Sequence, residues 1–284
     1  MFEYQAPEHI QHFIQEALKE DLGDGDHTSL ATVPAATTGS ACLMVKDTGV
    51  LAGVELSKAI FHFIDPNLQL ILFKQDGDWI EPGMIVLEVA GCTQSILKAE
   101  RLVLNCMQRM SGIATYTRSL VQLIQGTKAK LLDTRKTTPN FRLAEKWACK
   151  IGGAINHRYG LFDMILIKDN HVDFAGGISA ALEKAFAYNQ TRENTLAIEI
   201  EVRNDAELDQ VLRIGGVQRI MLDNFSPSQL RDAIRKIDGR FITEASGGIN
   251  ETTLRAYAET GVDFISVGAL THHIKSLDLS LKAK

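Results

Sequence analysis

Apolar and polar positions follow two different rhythms along this chain. Over residues 7–20, Ile10, Phe13, Ile14, Ala17 and Leu18 recur at i, i+3, i+4, i+7 and i+8 with Pro7 near the start, which predicts an amphipathic helix. A polar turn, Asp21-Leu22-Gly23-Asp24-Gly25-Asp26, follows. Between about residues 38 and 95 the apolar runs shorten to 41–45, 68–73 and 84–89, punctuated by Asp76-Gly77-Asp78 and Pro82-Gly83. Short runs bounded by such turns predict strands. A helix over 54–64 interrupts them, so this part reads as a small mixed α/β layer. A long helical stretch over 95–124 comes next, with a break predicted at Ser111-Gly112.

From Ala129 onward the grammar changes. Apolar runs at 129–132, 164–167, 196–200, 219–222, 241–243 and 264–267 alternate with helical patterns, among them 208–214, 230–237 and 254–260. Alternation of this kind implies parallel strands joined by crossover helices, and barrel-like closure is the economical architecture. No period of 20 to 50 residues repeats.

The length of 284 residues fits one large domain or two modest ones. With 45% hydrophobic and 23% charged residues, disorder and fibrous classes are set aside. A net charge of −5 gives no bulk attraction to nucleic acid or an anionic membrane, so any bound anion must be held by a local cluster. Cys42, Cys92, Cys106 and Cys149 form no CxxC pair and read as small buried hydrophobes in a reducing compartment. Without an 18-residue apolar run or a signal-peptide pattern, a soluble cytoplasmic protein is expected.

In a β/α barrel, reactive groups collect where the strands end. Here the runs lead into Asp133-Thr134-Arg135-Lys136, Lys168-Asp169-Asn170-His171, Glu199 and Glu201, Asp223-Asn224, and Glu244-Ala245-Ser246-Gly247-Gly248. One population is cationic: Arg135, Lys136, His157, Arg158 and Lys168, with Arg142 and Lys146 in the following helix. Arginine forks hold carboxylates through paired hydrogen bonds and lysine offers a point charge, a set suited to a small polyanion. The other population is acidic. Glu201 and Asp223 can grip a hydrated Mg²⁺ or face a developing positive charge, whereas Glu199 is expected to pair structurally with lysines across the barrel.

Ser246-Gly247-Gly248 forms a glycine turn ahead of a helix near Thr252, a combination that can cradle phosphate. Gly152-Gly153 has the same ambiguity between phosphate loop and plain turn. His157, between Asn156 and Arg158, is expected to hydrogen-bond a substrate oxygen. Adjacent His272 and His273 point apart on regular elements and read as a cap or surface pair.

These segments together resemble the quinolinate phosphoribosyltransferase family over nearly the whole chain. The most specific marks are Asp133-Thr-Arg-Lys-Thr-Thr-Pro139, Arg142 with Glu145-Lys146, Asn156-His157-Arg158, Leu166-Ile-Lys-Asp-Asn-His171, Glu199-Ile-Glu201, Met221-Leu-Asp-Asn224 and Ala245-Ser-Gly-Gly-Ile249. Earlier marks are Glu20-Asp21, Gly25-Asp26 and Ala99-Glu100-Arg101. Ala154 and Cys149 depart from the family pattern without removing a charged group, and His273 stands where a small residue is usual after Thr271-His272.

The resemblance implies an N-terminal α/β sandwich over residues 1–112, onto which a tail over 271–284 packs back, and an incomplete β/α (TIM-like) barrel over 113–270. It further implies a homodimer, with a hexamer as the larger assembly to consider, in which Arg101 completes the neighbouring active site. Arg135, His157, Arg158 and Lys168 resemble the quinolinate-binding set. Lys136, Glu201 and Asp223 resemble residues on the ribose and pyrophosphate side, and Ser246, Gly247 and Gly248 the 5′-phosphate loop. Mg²⁺ is expected to travel with phosphoribosyl pyrophosphate, with Glu201 and Asp223 holding it directly or through water. Three rivals remain: a barrel aldolase with Lys136 or Lys168 as Schiff-base lysine, a non-enzymatic phosphate-ligand binding module suggested by the glycine loop alone, and a phosphoribosyltransferase that uses nicotinate without decarboxylation.

Overall fold

The computed structural model describes residues 3–284. In chain order the first part runs α1 (Pro7–Leu22), α2 (His27–Thr32), β1 (Thr38–Val45), β2 (Gly49–Val50), α3 (Val54–Ile64), β3 (Gln69–Leu72), β4 (Trp79–Ile80), β5 (Ile85–Cys92) and α4 (Thr93–Leu123). The second runs β6 (Lys130–Leu132), α5 (Arg142–Gly152), β7 (Ile165–Ile167), α6 (Asp169–Ala175), α7 (Ile178–Gln190), β8 (Ile198–Val202), α8 (Asp205–Ile214), β9 (Arg219–Asp223), α9 (Pro227–Ile237), β10 (Ile242–Ser246), α10 (Leu254–Ala258), β11 (Phe264–Ser266), α11 (Ala269–His272) and β12 (Leu279–Ala283).

Two compact units result. One comprises residues 3–119, 136–153 and 270–284; the other comprises 120–135 and 154–269. In the first unit, β12-β1-β5-β3 form an antiparallel sheet. The C-terminal strand β12 pairs along β1 from Ala41↔Ala283 to Val45↔Leu279, which draws the end of the chain into the same sheet as residues 38–45. Leu43, Val45, Leu87 and Val89 are buried from that sheet, and Leu56, Ile60 and Phe61 from α3. α2 follows the polar turn at 21–26, over residues for which the sequence pattern predicts no element. Its start is capped by Asp26, whose carboxylate accepts the Ser29 N–H at 3.0 Å, a short-range helix start that six residues of weak periodicity conceal.

α4 corrects the expected break at Ser111-Gly112, because the helix continues through both residues. A Cβ on Gly112 would lie 2.3 Å from the Lys275 carbonyl oxygen, so the glycine permits close approach of the C-terminal segment and does not interrupt the helix. The Ser111 hydroxyl accepts the Ala52 N–H at 2.9 Å.

The second unit is a parallel six-stranded sheet in the order β6-β11-β10-β9-β8-β7. The consecutive strands β6 and β7 lie at opposite edges of this order, and the barrel stays open between them. A single parallel bridge, Leu132↔Ile155, extends the β6 edge. Ile200, Ile220, Ala245 and Ile265 contribute buried strand residues, as expected where both faces of a parallel sheet are covered.

Candidate active site

Register brings the ends of the central strands together. Glu201 pairs with Met221, so Asp223 lies two residues further along the same face of β9. Asp223 in turn pairs with Ser246 at the end of β10. The next residues lock against each other: the Asn224 N–H donates to the Ser246 carbonyl at 2.9 Å, and its side-chain amide donates to Asp223 Oδ2 at 2.6 Å. Gly247 has φ +98°, and a Cβ there would lie 2.2 Å from Asn224 Oδ1. Only glycine fits this turn. α10 begins at Leu254, close to the expected helix near Thr252, but it is only five residues long and a turn over 251–253 separates it from Ser246, Gly247 and Gly248. Gly152 is the last residue of α5 and Gly153 its left-handed cap, so that pair is helix-ending backbone.

Glu201 is 8% exposed. Burial raises its carboxyl to about 7, Asp223 adds to the rise, and Lys168 opposes it. Lys168 is the N-cap of α6, with its N–H donated to His171 Nδ1 at 2.9 Å. Glu201, Asp223 and Lys168 therefore share one electrostatic environment.

A second group gathers around Arg158. The Asp133 carboxylate accepts the Asn156 side-chain amide at 2.6 Å and the His157 N–H at 2.9 Å, which anchors the 156–158 segment beside β6. The Arg158 guanidinium donates through Nη1 to the Met164 carbonyl at 3.0 Å. Burial lowers its affinity for the proton, and the neighbouring Arg135 lowers it further. The Nε atoms of Arg135 and Arg158 are both buried without a hydrogen-bond partner among the described residues. Two like-charged forks kept near each other despite their repulsion, with Nε donors unmet, have the chemistry that a bound anion satisfies.

Beneath them the barrel interior holds a charged layer that sequence reasoning missed. Glu199 and Glu244 have no exposed surface. His157 Nε2 lies 3.1 Å from Glu199 Oε2 and 3.4 Å from Glu244 Oε2, while Nδ1 faces the Arg158 N–H at 2.7 Å. Arg219 Nη1 donates to Glu244 at 2.9 Å and lies 3.7 Å from Glu199, its guanidinium stacked 4.7 Å over Phe264. Burial disfavours charge on His157, but the two glutamates outweigh it and raise the imidazole to about 9. Burial and Glu244 raise Glu199. For Glu244 burial acts upward as well, yet His157 and Arg219 prevail and hold it below its ordinary value.

One expectation is corrected here. Glu199 pairs with His157 and Arg219, not with lysines, because β8, β9 and β10 place these side chains in one interior layer. Both His157 ring nitrogens lie against protein groups, Nδ1 against the Arg158 N–H. His157, Glu199 and Glu244 offer metal-ligating donor types within 4.8 Å of one another, but the Arg219 guanidinium already supplies the cation. The alternation of Glu199 and Glu201 on one strand was the available signal for a polar barrel interior.

Lys136 and Arg101 belong to the other unit. Lys136 gives its carbonyl to the Thr271 hydroxyl at 2.8 Å, and Arg101 is an exposed residue of α4.

Family models for the N-terminal and C-terminal domains of quinolinate phosphoribosyl transferase match residues 26–111 and 113–282. The chain belongs to the quinolinate phosphoribosyltransferase family. A Bacillus subtilis protein named probable nicotinate-nucleotide pyrophosphorylase (carboxylating) is 41% identical, covering 92% of this chain and 89% of its own. A chloroplastic rice protein named nicotinate-nucleotide pyrophosphorylase (carboxylating) is 44% identical over 95% of this chain and 76% of its own. Among solved structures, nicotinate-nucleotide pyrophosphorylase from Francisella tularensis superposes with a TM-score of 0.88 at 40% identity, covering 98% of this chain and 97% of that one. Membership accounts for the open barrel and for the antiparallel sheet found together in one chain.

Proposed function

We propose that this chain joins quinolinate to phosphoribosyl pyrophosphate, giving nicotinate mononucleotide, pyrophosphate and CO₂ in the de novo synthesis of NAD. The observation that carries this reading is the Arg135–Arg158 pair with its buried, unmatched Nε donors. A monocarboxylate needs one fork; two adjacent forks match a ring bearing two neighbouring carboxylates. Lys168 adds a third positive charge near the same strand ends.

Holding both carboxylates orients the ring nitrogen toward ribose C1′ and makes bond formation effectively unimolecular. As the C1′–pyrophosphate bond breaks, positive charge grows on the ribose, and Glu201 and Asp223 at adjacent strand ends are placed to stabilise it. No protein nucleophile is required. Once the ring nitrogen is positively charged it withdraws the electron pair of the bond to the neighbouring carboxylate; CO₂ leaves and the ring carbon takes up a proton. The Ser246-Gly247-Gly248 turn, with nothing within 4 Å of a Cβ on Gly248, offers its backbone to the sugar 5′-phosphate.

The Glu201–Asp223 pair also fits Mg²⁺. Glu201, whose proton affinity the neighbouring Asp223 raises, forms with it a hard-oxygen donor set of the kind Mg²⁺ uses together with substrate phosphates. When bound there, the ion supplies charge neutralisation to the pyrophosphate leaving group.

The proposal extends to a homodimer in which Arg101 of one copy completes the site of the other, and to a cytoplasmic location. No helix is long and apolar enough to cross a membrane among the described residues. Nicotinate mononucleotide and CO₂ formed from quinolinate, phosphoribosyl pyrophosphate and Mg²⁺, with no product from nicotinate, is the expected result. Covalent trapping by borohydride with a carbonyl substrate would instead support the Schiff-base rival.

A further inference from the structure

The segment that carries Arg158 runs from residue 156 to 164 outside any helix or strand. Burial does not hold its outer part, where Leu161 is 69% exposed and Phe162 55%. Its backbone N–H groups are met by side chains, one after another. Asp133 accepts the His157 N–H at 2.9 Å, and the Arg158 N–H lies 2.7 Å from His157 Nδ1. Asp163 completes the series: its Oδ2 accepts the Tyr159 N–H at 2.7 Å and its Oδ1 the Gly160 N–H at 2.9 Å. Phe162 folds back over Gly160, where a Cβ would lie 2.5 Å from the ring, a close approach that glycine permits.

Asp163 has no part in the chemistry above, yet it ties this loop at both ends. It grips the two residues after Arg158, and the Met164 carbonyl next to it accepts the Arg158 guanidinium at 3.0 Å. It also supplies charge: burial and Arg135 disfavour the cation on Arg158, while Glu199 from the barrel interior and Asp163 from the loop favour it. Arg135 and Arg158 belong to the same compact unit, and each keeps a buried Nε donor without a hydrogen-bond partner among the described residues. A guanidinium held beside a like charge can meet a carboxylate accurately only if its backbone is fixed and its charge offset.

We infer that Asp163 is a positioning residue for Arg158, fixing the 156–164 loop so that this second fork meets one of the two carboxylates of quinolinate. The inference rests on the function proposed above. Asp163→Asn keeps the side-chain shape and one acceptor oxygen, but it removes the charge and turns an N–H donor toward a backbone N–H. Asp163→Ser, also uncharged with one oxygen, is the second variant should the first not fold. The measurements are calorimetric titrations with quinolinate, with a pyridine monocarboxylate and with phosphoribosyl pyrophosphate plus Mg²⁺, together with Tm. Quinolinate Kd is expected to rise about tenfold, the scale of one lost hydrogen bond. The monocarboxylate, which the Arg135 fork can hold alone, and phosphoribosyl pyrophosphate should stay within about twofold of wild type. Equal weakening of monoacid and diacid, equal weakening of quinolinate and phosphoribosyl pyrophosphate, or quinolinate bound at wild-type strength whatever the Tm, would overturn the positioning role while leaving the functional reading intact. A wild-type protein that neither binds quinolinate nor makes nicotinate mononucleotide would overturn both.

Discussion

Replacing Arg135 with alanine separates an anion site from a structural cation. The Arg135 Nε has no hydrogen-bond partner among the described residues, so the substitution removes no such bond there, and it relieves the repulsion that lowers the proton affinity of Arg158. The ligand-free variant should therefore keep its Tm or gain slightly. Binding of the diacid should suffer. A hydrogen bond to an ionised group contributes about 1.5–3 kcal/mol, and at about 1.4 kcal/mol per decade the loss corresponds to roughly a 10- to 150-fold rise in quinolinate Kd. Arg158 retains its Met164 anchor at 3.0 Å, so one fork survives, and a pyridine monocarboxylate should lose much less than quinolinate. Calorimetric titration of both ligands, with thermal denaturation of the unliganded protein, reads all three quantities. Equal losses for monoacid and diacid, or a clear fall in Tm, would refute the paired-fork argument.

Asp223→Asn should depress kcat more than it raises either substrate KM, since its carboxylate is assigned to the charged transition state; steady-state kinetics with saturating Mg²⁺ reads this. His157 has a folded-state value raised to about 9 from 6.5, so its contribution to stability is fully present below about pH 6.5 and is lost as pH rises through about 9; denaturant unfolding across that window should show a decline that His157→Asn flattens. Gly247→Ala, whose Cβ would lie 2.2 Å from Asn224 Oδ1, should impair use of phosphoribosyl pyrophosphate with quinolinate binding preserved by titration. Mixing Arg101→Ala with Arg135→Ala should recover part of the lost activity if sites are shared between copies, and recovery absent at every mixing ratio argues against the shared site.

Much of the architecture was legible from periodicity because burial imposes it locally. Val54–Ile64 emerges as a helix at the predicted ends, and all six parallel strands fall on the apolar runs of the second half. The cationic and acidic candidates were legible because strand ends in such a sheet converge, so Asp223 and Ser246 had only to end neighbouring strands to become register partners. What was illegible depended on partners distant in sequence. Gly112 reads as a helix breaker until the Lys275 carbonyl is seen packed against it. Glu199 reads as one end of a lysine pair until β9 and β10 bring Arg219 and Glu244 beside it.

By itself, the amino-acid sequence determined most of the longer helices and the parallel strands, which residue types end each strand, and hence the kind of ligand those ends can attract. Only the tertiary structure decided which of the charges meet, which are buried, and which are spent on one another. Local patterning acts over a few residues through backbone geometry and burial, whereas the pairing of His157 with Glu199 and Glu244 depends on distances that exist only after the sheet has closed up its register and the helices have docked.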